Sequence, residues 1–276
     1  MTRVLVFILV LFVAIFAFAQ FIRRTGMFFP DKYPTGRWDV NAWLVPPTEH
    51  FFTSGDGVRL HAWWFHSKTP NAPVMIWFHG NAGNLTDRAE MCVELARRGI
   101  SVFIFDYRGF GRSGGRTSET GTYHDSLAAY DFVKKNSTGD IVIYGESIGG
   151  PYAAFVAKER KNIRVVVIEN SFPNLRELGN AVYKPLPLGW VAPFAMRTTD
   201  WLNEAGAPVL VMHGQRDAVI PYALGKRLFD GLTVPKEMLT SHAGHCEIPL
   251  FEADRYYETV TRFVKERGPS RAPAIN

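Results

Sequence analysis

The sequence has few cysteines and, over most of its length, no excess of one charge. Only Cys92 and Cys246 occur among 276 residues, which excludes a disulfide framework, and neither cysteine has the spacing of a zinc site. The formal net charge is +5, but three excess positive charges lie in residues 1–24 and two in residues 265–276. Residues 25–264 hold 25 basic and 25 acidic residues. This body therefore lacks the basic excess that drives binding to a nucleic-acid backbone.

One long hydrophobic run is present, at the N-terminus. Residues 4–19 are apolar without interruption. With the apolar residues that follow, a helix here would rise about 28 Å, close to the roughly 30 Å core of a bilayer. We expect residues 1–24 to form a single-pass membrane anchor. A cleaved signal peptide is the alternative, because residues 17–19 read A-F-A behind a positive start at Arg3.

The side of the membrane stays open at this point. The basic residues that follow the hydrophobic run outnumber the single one before it, which favours a cytoplasmic body, whereas a signal-like start favours export.

From about residue 50, apolar runs of strand length alternate with segments of helix length. The predicted strands are 58–65, 74–78, 101–106, 140–144, 164–169, 208–213 and 236–240. The predicted helices are 85–98, 122–135, 148–160, 222–231 and 250–266. Several of the strands are continuously apolar, as strands buried on both faces of a sheet must be. The alternation predicts an α/β fold with a doubly wound, mostly parallel sheet.

The alternation of predicted strands and helices defines one domain at residues 50–266, with a linker before it at residues 25–49. A stretch rich in Pro and Trp at residues 172–203 interrupts this alternation and is interpreted as an insertion of two small helices. Residues 267–276 are predicted to be a disordered tail.

Residues 145–149 have the pattern G-x-S-x-G, with Ser147 at its centre. A predicted strand runs directly into this pattern, and a predicted helix follows it. Such a strand–turn–helix is a nucleophile elbow, in which glycines let the chain turn sharply and leave the serine at the edge of the sheet. We therefore predict that Ser147 is a nucleophile. An ordinary glycine-rich turn is the alternative.

A nucleophilic serine needs a histidine base, and the histidine needs an orienting acid. Asp217 and His245 each follow one of the last two predicted strands, in the order Ser, Asp, His that this architecture uses. Both fall at carboxyl ends of strands, where an open α/β sheet places its site. We predict these two residues as the partners of Ser147. His242 is the alternative histidine. Cys246 is interpreted as a packing residue because it does not lie in a nucleophile elbow.

The loop after the predicted strand 74–78 reads H-G-N-A-G-N over residues 79–84. Acyl transfer develops negative charge on the carbonyl oxygen of the substrate, and fixed main-chain N–H groups stabilise that charge. We predict that the amides of Asn81 and Ile148 form this oxyanion hole. A flexible turn is the alternative for the loop.

At this point the sequence resembles the α/β-hydrolase superfamily, and more narrowly its small, membrane-anchored, nearly lidless branch. The resemblance rests on HGN-x-G-N at 79–84, DYRGFG-x-S at 106–113, G-x-S-x-G at 145–149, HG-x-x-D at 213–217 and GH at 244–245. It covers residues 50–266. It implies a serine hydrolase with a catalytic triad of Ser147, Asp217 and His245 and an oxyanion hole of the Asn81 and Ile148 amides. Members of this branch include esterases, acyl-thioesterases and serine aminopeptidases, so the type of activity stays open.

Residues 109–114 also read G-x-G-x-x-G after a strand, which is the letter pattern of a dinucleotide-binding loop. That motif requires a helix to open within it, whereas residues 115–121 continue as a loop. We therefore predict no nucleotide, and the sequence shows no constellation of metal ligands. We expect the protein to need no cofactor.

These observations predict a serine hydrolase that cleaves an acyl ester or thioester through an acyl-enzyme, on a lipid-like or lipidated substrate. The apolar residues of the insertion at residues 172–203 either line an acyl groove or form the core of a minimal cap. The alternatives are a serine peptidase or amidase of the same fold and a catalytically silent, membrane-bound binding protein.

Overall fold

The computed structural model describes residues 2–25, 27–183 and 196–267. Within these ranges the strands are β1 (Phe29–Pro30), β2 (Thr48–Thr53), β3 (Arg59–Phe65), β4 (Val74–Phe78), β5 (Ala82–Gly83), β6 (Ser101–Asp106), β7 (Ile141–Glu146), β8 (Ile163–Glu169), β9 (Val209–Gly214) and β10 (Lys236–Ser241). The helices are α1 (Thr2–Thr25), α2 (Ala89–Arg97), α3 (Glu119–Asn136), α4 (Gly149–Glu159), α5 (Leu175–Val182), α6 (Thr198–Ala205), α7 (Tyr222–Gly231), α8 (Ile248–Phe251) and α9 (Ala253–Glu266).

Eight strands form one sheet in the order β10-β9-β8-β7-β4-β6-β3-β2. The pairs β2–β3 and β3–β6 are antiparallel, and every other pair in this sheet is parallel. The prediction of a mostly parallel α/β sheet is confirmed. Because β7 lies between β4 and β8, the loops that leave these three strands meet at one edge of the sheet.

The central strands are buried on both faces, as their continuous apolar runs predict. In β4, Ile76 and Phe78 belong to the hydrophobic cluster on one face, and Met75 and Trp77 belong to the cluster on the other. Side chains alternate across a strand, so a strand between two layers of helices must be apolar at every position.

The seven predicted strands correspond to β3, β4 and β6–β10, with ends that agree within two residues. Strand β2 was not predicted. It lies at the edge of the sheet and buries only Phe52 among its six residues, so its sequence lacks the apolar run that marks the inner strands.

Part of the predicted linker packs against the body. Phe28 and Trp43 are buried, and β1 pairs in parallel with β5 in a separate two-stranded sheet. Of the predicted insertion, the structure describes α5 and the start of α6, while residues 184–195 lie outside the described residues. All of the predicted tail except Arg267 lies outside them as well.

The predicted membrane anchor is not supported. In the part of the chain that the structure describes, no helix combines the length and the apolar character needed to cross a membrane.

Candidate active site

Ser147 lies at the sharp turn between β7 and α4. Its main chain has a φ of 55°, in the left-handed region that costs a non-glycine residue about 1–3 kcal/mol. The Ser147 N–H donates to the carbonyl of Glu169 at 2.8 Å, which fixes the turn to the end of β8. A Cβ at Gly149 would lie 2.0 Å from the carbonyl oxygen of Phe78, so only glycine lets α4 start this close to β4.

The structure brings the three predicted side chains into one hydrogen-bonded chain. His245 Nε2 lies 3.0 Å from Ser147 Oγ, and His245 Nδ1 lies 2.7 Å from Asp217 Oδ2. An ionised carboxylate only accepts hydrogen bonds, so Nδ1 carries the proton and Nε2 is free to accept the serine hydroxyl proton. This tautomer is the one that a general base requires.

Asp217 is held as a buried carboxylate. Its Oδ1 accepts the main-chain N–H groups of Val219 and Ile220, both at 2.8 Å. Burial raises the pKa of Asp217, but hydrogen bonds from His213 and His245 lower it more, so it lies well below its usual range. The carboxylate therefore stays ionised at neutral pH and stabilises a positive charge on His245.

The loop that follows β4 presents the main-chain N–H of Asn81. The buried His79 donates from Nδ1 to the carbonyl of Gly80 at 2.7 Å. Burial lowers the pKa of His79, and the nearby positive charge of Arg88 lowers it further, so the ring is neutral. In a trans peptide the N–H points away from the carbonyl, so this bond turns the Asn81 N–H away from His79. In the part of the chain that the structure describes, neither this N–H nor that of Ile148 donates a hydrogen bond.

A buried ion pair joins the loop after β4 to the turn at Ser147. Arg88 Nη2 lies 2.6 Å from Glu146 Oε1, its Nε lies 3.1 Å from Oε2, and Trp77 Nε1 donates to the same Oε2 at 3.2 Å. Arg88 also donates to the carbonyl of Ala82 at 3.1 Å. Burial raises the pKa of Glu146, but the charge and hydrogen bonds of Arg88 outweigh it and hold the pKa at about 2. The pair therefore fixes the two predicted parts of the oxyanion hole to each other.

Sequence reasoning missed Arg88 and Glu146 as parts of the site. An acid directly before the predicted nucleophile, at the end of a buried strand, was the available signal, because a buried carboxylate needs a cation. Nothing in the spacing identifies that cation, since the two residues are 58 positions apart.

Asn170 was also missed. Its Nδ2 donates to Asp217 Oδ2 at 2.6 Å, from a left-handed turn with a φ of 46°. An asparagine directly after the predicted strand 164–169 is the only sequence signal for this position.

The residues considered as rivals lie near His245 but do not take part in the hydrogen-bonded chain of Ser147, His245 and Asp217. His242 is exposed, and its main-chain N–H donates to Glu252. Burial raises the pKa of the Cys246 thiol well above that of a free thiol, so the thiol stays protonated at neutral pH and is a poor nucleophile. Residues 109–114 form a loop, and the helix that follows, α3, begins only at Glu119, so the structure lacks the helix start that a dinucleotide site needs.

A cleft of about 570 Å³ opens beside His245. Its wall includes Arg216, Val219, Glu247 and Phe251, and the side chains of Val219 and Phe251 are more than half exposed. His245 lines this cleft, whereas Ser147 does not.

Several residues of the insertion belong to the core. Phe172, Leu175 and Met196 are buried in the hydrophobic cluster on one face of the sheet, whereas Val182 and Tyr183 are about half exposed. The described ends of the insertion therefore serve packing. Within the ranges the structure describes, no group of three or more His, Cys, Asp or Glu side chains is arranged to hold a metal ion.

Comparisons with known proteins agree with this architecture. The model of the family described as Serine aminopeptidase, S33 matches residues 69–194. An uncharacterized protein of Mycobacterium tuberculosis is 31% identical over 249 residues, which cover 88% of each chain. The lysophosphatidylserine lipase ABHD12 of Danio rerio is 30% identical over 200 residues, 65% of this chain and 52% of that protein. A crystallised esterase of Pyrococcus furiosus superposes with a TM-score of 0.72 at 21% identity, over 88% of this chain and 98% of the esterase. The match to this family model and the 31% identity to the mycobacterial protein over 88% of each chain show that the chain belongs to the α/β-hydrolase superfamily.

Proposed function

We propose that the protein is a serine hydrolase that cleaves a carboxylic ester or thioester by two-step acyl transfer. The observation that carries this proposal is the bridge made by His245, which contacts Ser147 Oγ through Nε2 and Asp217 through Nδ1. A packing role alone would not explain why this histidine bridges a serine in a strained turn and a buried carboxylate.

In the first step, His245 Nε2 takes the hydroxyl proton of Ser147 as Oγ attacks the acyl carbonyl. The negative charge that forms on the carbonyl oxygen is stabilised by the N–H groups of Asn81 and Ile148. His245 then gives its proton to the departing alcohol or thiol as the bond to the acyl carbon breaks. The product of this step is an ester of Ser147 with the acyl group.

In the second step, His245 takes a proton from water, and the hydroxide oxygen attacks the acyl-enzyme. The same proton returns to Ser147 Oγ when the free acid leaves. Asp217 keeps the proton on Nδ1 throughout and stabilises the imidazolium that forms twice in each cycle.

We further propose a lipid-like substrate. The apolar side chains of Val219 and Phe251 are exposed in the wall of the cleft beside His245, and that of Leu250 is exposed next to Phe251 in the sequence. The zebrafish relative is, by its name, a lipase acting on a lysophospholipid, which agrees with this substrate class. An amide-cleaving peptidase is the second candidate, favoured by the description of the matching family.

A fluorophosphonate probe tests the nucleophile. We expect it to label the wild-type protein and a Ser137→Ala control, which removes a hydroxyl at the end of α3 that accepts the N–H of Gly139. Ser147→Ala should not be labelled. Labelling of Ser147→Ala at the wild-type rate would contradict the assignment, and a folded wild type that is neither labelled nor active would favour a silent binding protein.

A series of p-nitrophenyl esters from acetyl to decanoyl, with the matching anilides, tests the substrate class. For a lipid-like substrate, we expect kcat/KM to rise from the acetyl ester to the octanoyl ester. Each methylene that becomes buried contributes about 0.8 kcal/mol at most, or roughly fourfold in kcat/KM. Preference for acetyl would contradict a lipid substrate, and faster cleavage of anilides than of esters would favour the peptidase.

A further inference from the structure

We infer that a short N-terminal segment, residues 28–35, positions the amide of Asn81 for catalysis. We call this segment the strap. The inference rests on the proposed function, in which Asn81 N–H is an oxyanion donor, and it assigns a catalytic effect to a segment that the sequence predicts only as a linker.

The strap is bonded directly to the loop that carries Asn81. The N–H of Phe29 donates to the carbonyl of Asn81 at 2.7 Å, and the N–H of Asp31 donates to the carbonyl of Gly83 at 3.0 Å. From the loop, Asn84 Nδ2 donates to the carbonyl of Thr35 at 2.8 Å. These bonds hold the loop at Asn81, Gly83 and Asn84, so this part of it cannot turn without breaking them.

The other side of the strap is bonded to the loop after β6. The N–H of Gly111 donates to the carbonyl of Asp31 at 2.9 Å, and the N–H of Tyr33 donates to the carbonyl of Gly111 at 3.0 Å. Phe28 is buried against the edge of Phe110, with ring centroids 6.2 Å apart. The strap is therefore held between two loops and has a fixed position from which to hold the first.

Asn81 is fixed on both sides by this arrangement. The peptide before it is held by His79, which donates to the carbonyl of Gly80. The peptide after it is held by Phe29. The loop contains Gly80 before Asn81 and Gly83 after it, and glycine gives a free chain the widest choice of conformations. An oxyanion donor stabilises the transition state without further cost only when it is oriented before the reaction, and the strap supplies half of that orientation.

Because Phe29 acts through its main-chain N–H, proline and alanine substitutions separate this effect from the loss of a side chain. The side chain of Phe29 is 59% exposed. Phe29→Pro removes the N–H donor, whereas Phe29→Ala keeps the donor and removes only the exposed ring. For both variants we would measure kcat and KM with an activated ester and the melting temperature Tm. The value of kcat is normalised to the folded fraction given by circular dichroism.

We expect kcat to fall at least tenfold in Phe29→Pro relative to Phe29→Ala, with KM changed less than twofold. Loss of a complete oxyanion donor costs about 10²–10³ in kcat, and a misoriented donor should cost less. A structural role alone would lower Tm in Phe29→Pro but leave kcat per folded molecule unchanged, and that result would overturn the inference. If Phe29→Pro does not fold, Asp31→Pro against Asp31→Ala makes the same comparison at the bond to Gly83, with the same two outcomes.

Different results would contradict the serine hydrolase activity and the role of the strap. A wild type without esterase activity or probe labelling would contradict the function. An active wild type with equal kcat in the paired variants would contradict only the strap.

Discussion

At the scale of single residues, the site depends on buried charges that are paired. Asp217 is ionised inside the protein because two histidines and two main-chain N–H groups surround it. Glu146 is ionised because Arg88 covers both of its oxygens. Each carboxylate would be costly to bury alone, so its partners determine whether the fold tolerates it.

The ion pair of Arg88 and Glu146 leads to a stability prediction. The two side chains are 13% and 5% exposed, so Glu146→Gln leaves the buried Arg88 charge with only the half-exposed carboxylate of Asp87, 3.4 Å away, in place of a buried partner. We expect Glu146→Gln to lower the free energy of unfolding by about 3–5 kcal/mol, and the double variant Arg88→Met/Glu146→Leu to recover much of that loss. Urea denaturation measures both.

The pair of Lys226 and Asp230 on α7 is the matched control, because its side chains are 49% and 54% exposed. Asp230→Asn should cost less than about 1 kcal/mol, since solvent screens exposed pairs. An equal cost for Asp230→Asn and Glu146→Gln would show that burial does not set the strength of the inner pair.

At the scale of elements, the close packing of α4 against β4 and β7 sets the position of Ser147. A Cβ at Gly145 would meet the Cβ of Ala153 on α4 at 2.7 Å, and one at Gly149 would meet the carbonyl of Phe78 at 2.0 Å. The first turn of the helix can approach the sheet only because these side chains are absent. The strained φ of Ser147 follows from this approach, because the chain must reverse within one residue.

Gly149→Ala tests this packing. A main-chain carbonyl cannot move aside as a side chain can, so α4 would have to shift away from β4 and take Ser147 with it. We expect a loss of at least about 3 kcal/mol in the free energy of unfolding, at the upper end of overpacking effects, and loss of probe labelling. Urea denaturation and labelling rates measure these two effects.

Gly55→Ala is the control for Gly149→Ala. A Cβ at Gly55 would meet nothing within 4 Å, and the φ of Gly55 is not positive. Alanine there should leave stability within about 1 kcal/mol of wild type and labelling unchanged. Wild-type stability in Gly149→Ala would mean that α4 can move without cost.

At the scale of the whole molecule, a buried carboxyl below the site links stability to pH. Glu169 ends β8, is fully buried, and is hydrogen-bonded to the hydroxyl of Tyr144, which also contacts that of Tyr256 at 2.6 Å. Burial, with the nearby charge of Glu146, outweighs the hydrogen bond from Tyr144 and raises the pKa of Glu169 to about 8. Glu169 is therefore mostly protonated in the folded protein at neutral pH.

This shift predicts a loss of stability as pH rises. The unfolded chain releases the Glu169 proton near pH 4.3, whereas the folded chain keeps it until about pH 8. Between these values the folded state binds one more proton, so this group lowers the free energy of unfolding by up to about 1.4 kcal/mol for each unit of pH. The contribution is fully present below pH 4 and is lost as pH rises through 8.

Glu169→Gln keeps the size and polarity of the side chain and removes its titration. We expect urea denaturation between pH 5 and pH 8 to show a smaller decline in stability for this variant than for wild type, with the two proteins closest at pH 5. Parallel pH profiles for the two proteins would mean that Glu169 is ionised in the folded state.

The sequence by itself determined the inner strands, the turn at Ser147 and the order of the Ser, Asp and His residues. These features are local, because burial on both faces requires a continuous apolar run and a tight turn requires glycine. Only the tertiary structure decided which distant residues support them. Arg88 meets Glu146 and Asn170 meets Asp217, since the strand order brings their loops to one edge of the sheet, and the strap meets the Asn81 loop through the separate β1–β5 pair. Such pairings depend on where separate loops come together in space, and no spacing along the chain records that.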